Sequence, residues 1–145
     1  MPFSGGEIQA GHIAYFTIDE LRSEPTIDRT GGSPDSSARP FACYATEANG
    51  RLYWTPLTTQ ATQDKRVGIK GDAILGAVGL LATESIFVND AGHTYAGLSE
   101  VFARLSERHD RSHGTSRPRL TPGVVAEIIA AVRQRGGLRP DPTKE

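Results

Sequence analysis

The chain has 145 residues, a net charge of −1, 37% hydrophobic and 23% charged residues. That profile is a globular domain large enough for a real core. No apolar run approaches the roughly 20 residues that a bilayer-spanning helix needs. The opening "MPFSGGEIQAGH" lacks the basic start and apolar core of a signal peptide. A lone cysteine, Cys43, excludes an internal disulfide and a thiolate zinc cage, and a cytoplasmic location is expected.

In chain order, "HIAYFTI" (His12 to Ile18) is rich in β-branched and aromatic residues and predicts a first strand. From Asp19 to Ala38 the chain turns polar, and its "RTGGSPDSSA" predicts a long mobile loop. Strand character returns in "RPFACYAT" (Arg39 to Thr46). Asn49-Gly50 then gives a strong hairpin signal, because both residues tolerate positive φ. "LYWTPLT" is the expected antiparallel partner, with Pro56 stopping its ladder. The apolar, glycine-interrupted stretch from Val67 to Leu81 suits short curved strands, and "TESIFVN" another strand. In "LSEVFARLSERH", the spacing of Leu98, Val101, Phe102 and Leu105 places them on one helix face. A second helix starts at Thr121 as N-cap with Pro122 at its first position. It carries Val125, Ile128, Ile129 and Val132 on one face and stops at Gly136-Gly137. The expected fold is mainly β with late helices (α+β), a small twisted antiparallel barrel or sheet. One domain covers residues 1–138, and 139–145 form a frayed tail.

Charge is unevenly spread. Residues 1–40 carry three arginines against six carboxylates, whereas from Val101 onward nine arginines and lysines face five carboxylates. Such a basic half suits either an anion-binding face or a solvated tail. The four histidines (His12, His93, His109 and His113) form no metal-binding pattern, and no phosphate-loop, dinucleotide or serine-hydrolase motif is present. No metal and no cofactor is expected.

What remains is a pair of strand ends. Counting outward from Asn49-Gly50, Arg39 and Thr58 both fall at the end of the hairpin away from its turn. A rigid guanidinium fork and a short hydroxyl donor suit a phosphodiester. Spacing alone favours an ordinary hairpin with an exposed arginine and a threonine-rich strand end.

A resemblance bears on that choice. "GHIAYFTI", the long polar loop, "ARPFACYA" and "LYWTPLTTQ", in that order and spacing, resemble the MazF/PemK family of toxin endoribonucleases. "TPGVVAEIIAAVRQRGG" is similar to that family's terminal helix. The likeness covers residues 11–60, more weakly 83–88 and 121–138. It departs from the family at His12, where an acidic residue is usual, and at Ala38, where glycine is.

The resemblance implies an SH3-like, PemK-like barrel with a C-terminal helix and a homodimer. It also implies a cytoplasmic toxin that cuts single-stranded RNA without a metal and is neutralised by a cognate protein antitoxin. By position, Arg39 and Thr58 match the catalytic pair. Thr59, Gln60, Asp35 and Trp54 are the candidate RNA contacts, with core or dimer-interface packing the favoured reading of Trp54 taken alone. The basic segment 108–119, which has no counterpart in the family, is either a further contact or an exposed loop. A non-enzymatic toxin of the same fold acting on a protein such as DNA gyrase is an alternative. So is an SH3-like protein-binding module.

Overall fold

The computed structural model describes residues 8–31, 38–58, 68–69, 74–75, 86–88, 92–106 and 118–140. Its central unit is the hairpin of β3 (Ala38–Thr46) and β4 (Arg51–Thr58), turned through Glu47–Gly50. Gly50 takes φ 89°, the left-handed conformation that the Asn-Gly signal required. The turn is closed by Gly50 N donating to the Glu47 carbonyl at 2.9 Å and Arg51 N donating to Asn49 Oδ1 at 3.0 Å.

Around the hairpin, β1 (Ile13–Thr17) pairs antiparallel with the outer edge of β3, from Ile13↔Ala42 to Thr17↔Ala38. The other edge of β4 is shared. Residues 51–54 pair with β8 (Thr94–Leu98), which in turn carries β2 (Asp28–Thr30). Residues 57–58 pair with β7 (Ile86–Val88), which carries β5 (Gly68–Ile69). A separate pair joins β6 (Ile74–Leu75) to β9 (Arg119–Leu120). No pairing among the described strands closes the sheet, so the molecule is an α+β fold on an antiparallel sheet.

Three helices complete the described elements: α1 (Ile18–Ser23), α2 (Ser99–Ser106) and α3 (Pro122–Arg135). The last matches its expected caps. Pro122 occupies the first turn, and Gly136 ends the helix at φ 76°, its N–H donating to the Val132 carbonyl. None of the described helices is long and apolar enough to cross a membrane.

Strand alternation sends side chains to two faces, and both are covered. On one face Ile13, Ala42, Tyr44, Tyr53, Leu57 and Ala96 pack against Val124, Val125, Ile128 and Val132 of α3. On the other, Ala14, Phe16, Phe41, Cys43, Leu52, Trp54 and Tyr95 pack against Ile18 and Leu21 of α1 and Phe102 of α2. The second core is aromatic. Phe16 meets Phe41, Trp54 and Phe102 edge-on at centroid distances of 5.5, 5.1 and 5.6 Å, a favoured ring geometry. A bulge between Cys43 and Ala45 inserts Tyr44 as an extra residue, so that Tyr44 and Ala45 both pack with Tyr53 on the α3 face while Cys43 stays on the aromatic face.

Three expectations are corrected. The polar stretch after Asp19 is not all loop. Thr17 caps α1 by accepting from Glu20 N at 3.2 Å while its hydroxyl donates to Glu20 Oε1 at 2.8 Å, and β2 follows. Pro56 does not stop β4: the strand continues to Thr58, and Pro56 falls where its outer edge changes partner from β8 to β7. Leu98 closes β8 as an exposed residue, and α2 starts one position later. Residues 32–37 of the expected 19–38 loop, and residues 108–117 of the basic segment, lie outside the described residues.

Candidate active site and its arginine cluster

The β3–β4 register joins Phe41 to Pro56 and Ala42 to Thr55. Carried two residues further, it would set Arg39 across from Thr58. Alternation assigns both to the aromatic face: Arg39 stands two residues before Phe41, and Thr58 stands two and four residues after Pro56 and Trp54. Arg39 and Thr58 are both half-buried, so each keeps a route to solvent. Arg39 is also tied by backbone pairing to Phe16, and its Nε is buried. A half-buried arginine whose Nε is sealed beside an aromatic core is a pre-oriented cation.

Three of the other candidates, Thr59, Gln60 and Asp35, lie outside the described residues. Trp54 requires a correction. It is 0% exposed, packed between Phe16 and Phe102, so its indole is a core group and no RNA base reaches it.

The structure adds residues that sequence reasoning did not select. Tyr95 of β8 faces Arg29 of β2 directly across the ladder, and its ring packs on Phe41 at 5.8 Å. The side chain is 0% exposed, and its hydroxyl has no hydrogen-bond partner among the described residues. Burial pushes the phenol above its ordinary pKa, while the positive charges of Arg22, Arg29 and Arg39 pull it back down. Three guanidinium groups from α1, β2 and β3 therefore act on one buried hydroxyl. Arg29 Nη1 also donates to the Arg22 carbonyl at 2.9 Å, which ties the end of α1 to β2. The hydroxyl stays protonated at neutral pH, a donor and not a base.

The opposite face carries a different polar group. Arg51 donates to Asp28 Oδ2 at 2.6 Å and to Tyr53 Oη at 3.1 Å, and Tyr53 donates to Glu47. The hydrogen bond that Arg51 donates to Asp28 is the main reason why the Arg51 pKa lies above its ordinary value. This arginine is a structural brace between β2 and the hairpin. Also on that face, a cavity of about 330 Å³ lies between β3 and α3, lined by Tyr44, Ala45, Ile129, Val132, Arg133, Arg139 and Pro140. It is separated from Arg39 and Thr58 by the sheet.

Comparison with known proteins returned no match to any family model and none to a curated protein sequence.

Proposed function

We propose that this chain is a metal-independent endoribonuclease of single-stranded RNA, the toxin of a toxin–antitoxin pair. The observation that supports the proposal is the hairpin register, paired from Phe41↔Pro56 towards the turn, which carried two residues outward would bring Arg39 and Thr58 to the same end and face of the sheet. The ordered resemblance of residues 11–60 to MazF/PemK toxins supports it. In the same proposal the described sheet is part of an SH3-like barrel. The active form is a homodimer in the cytoplasm, and a cognate antitoxin neutralises it by covering the RNA groove.

The chemistry follows from the two side chains. The ribose 2′-hydroxyl attacks the adjacent phosphorus, the bond to the 5′-oxygen breaks, and a 2′,3′-cyclic phosphate and a 5′-hydroxyl result. Negative charge grows on the non-bridging oxygens. Arg39 stabilises it through fixed N–H donors, and the Thr58 hydroxyl donates to the same phosphate and orients it. DNA lacks the nucleophile and is not cut.

The test is incubation of wild type and Arg39→Ala with single-stranded RNA in EDTA, with product ends analysed. Wild type is expected to leave 2′,3′-cyclic phosphate, and Arg39→Ala to lose about 10²-fold or more in rate, the usual effect of removing one such donor. Thr58→Val is expected to fall in the same direction by a smaller factor. Absence of cleavage by wild type across RNAs of varied sequence refutes the proposal.

A further inference from the structure

The cavity of about 330 Å³ between β3 and α3 has mostly apolar walls: Tyr44 and Ala45 from β3, Ile129 and Val132 from α3, and Pro140 from the segment after the helix. The Tyr44 hydroxyl is already engaged, donating to the Leu138 carbonyl, and the Leu138 N–H donates to Thr94 Oγ1 at 2.8 Å. The N–H groups of Gly136 and Gly137 both donate to the Val132 carbonyl. These bonds pin residues 136–138 against helix and sheet, so the wall that Arg139 and Pro140 add stands ready before any ligand arrives.

Two arginines complete the lining, and no carboxylate does. Arg133 and Arg139 are both exposed, and among the described residues neither has a hydrogen-bond or ion-pair partner for its side chain. Glu47, two residues beyond Ala45, is engaged by Tyr53 and Arg51 instead. The cavity therefore joins apolar walls to two guanidinium forks without a described counterion, and such forks match carboxylate oxygens in pairs.

We infer that this cavity binds a small amphipathic carboxylate, its apolar body between β3 and α3 and its carboxylate on Arg133 and Arg139. At about 330 Å³ the space lies at the small end of ligand pockets, roughly 300–1,000 Å³, which excludes a large cofactor. A sugar or a nucleobase would bury polar edges against walls that offer them no partner. An inorganic anion would leave the apolar walls unfilled. The inference does not rest on the ribonuclease proposal, whose two side chains lie across the sheet.

The probe is octanoate, titrated into the full chain labelled at its isoleucine methyl groups and followed by NMR. The Ile129 signal is expected to shift saturably, and that of Ile18, in the core across the sheet, to stay in place. The Arg133→Gln/Arg139→Gln double variant should bind octanoate about tenfold or more weakly, since its charge-assisted contacts are gone. Arg29→Gln, which removes an exposed cation on β2, should bind as wild type does. Hexanoate, shorter by two methylenes, should bind about tenfold more weakly than octanoate. Uncharged 1-octanol should lose at least about as much. An unmoved Ile129 signal overturns the site, as does equal octanoate affinity in wild type and double variant. Equal affinity for 1-octanol reduces the cavity to an apolar surface, and equal affinity for hexanoate to an anion site. An equal loss in Arg29→Gln makes the effect one of net charge, and each of these results also overturns the inference.

Discussion

Replacing Tyr95 by Phe should make this protein more stable, against the usual direction of a core substitution. The ring is retained, so the contact with Phe41 at 5.8 Å and the packing of the aromatic core survive. What is removed is one hydroxyl with no solvent exposure and no hydrogen-bond partner among the described residues. A buried, unsatisfied polar group costs about 1–3 kcal/mol of stability. The hydroxyl dipole regains part of this in the field of Arg22, Arg29 and Arg39, so the expected gain is near the lower bound, about 1 kcal/mol. For a chain of this length that is a rise of about 4 °C in Tm. Urea and thermal unfolding followed by circular dichroism, in a buffer free of phosphate, measure it.

The pH dependence gives a second readout for the same variant. Burial raises the Tyr95 pKa above its ordinary value of 10.0, so above that pH the unfolded chain releases a proton that the folded chain keeps. The unfolded state then binds fewer protons, and stability falls as pH rises. Tyr95→Phe removes this part of the alkaline decline, while Tyr44, whose pKa burial also raises, still contributes its own. A loss of 1 kcal/mol or more at pH 7, together with an unchanged alkaline limb, would refute the claim that the hydroxyl is an orphaned group.

Cys43 is fully buried and its thiol is pushed up to about 12 by burial, so native protein at pH 8 should resist thiol reagents and react only as fast as it unfolds. Because the raised value lies above the ordinary 9.0, the same thiol should add to the loss of stability between about pH 9 and 12, and Cys43→Ser or Ala should flatten that limb. Gly11→Ala should destabilise by about 3 kcal/mol, since φ +104° strains any side chain and a Cβ would stand 2.9 Å from the Leu120 carbonyl oxygen. Chemical denaturation checks it, and a change below about 0.5 kcal/mol, the range of unstrained surface changes, would contradict the close approach of β9 to that turn.

Local signals were legible in the sequence wherever the physics was local. Asn49-Gly50 predicted the hairpin, although not the bulge that shifts its register between Cys43 and Ala45, and Thr121, Pro122 and Gly136 marked the ends of α3. Residues 19–30 were misread as loop because α1 has six residues and buries only Ile18 and Leu21, too few for a periodic pattern. The signal was there in Thr17-x-x-Glu20, a capping box. β2 had no comparable signal, for its three residues gain strand identity only from Tyr95 and its neighbours, more than sixty positions downstream. That is also why Arg22 and Arg29 escaped selection. Nothing near them in the sequence says that their charges act on Tyr95.

The tryptophan teaches the same point in reverse. An aromatic next to the candidate catalytic strand end invites a role in base stacking, but Leu52 to Leu57 is buried throughout, so β4 has no solvent face over that length. A strand covered on both sides can present chemistry only at its ends, and Arg39 and Thr58 are end residues. The aromatic core therefore acts on the candidate site indirectly. Phe16, Phe41 and Tyr95 fix the strand that carries Arg39 and the ladder that carries Arg29, and they do so with rings too tightly interlocked to shift separately. Substitutions in that core should be felt first at the arginines, as misplaced charge, before the fold itself is lost.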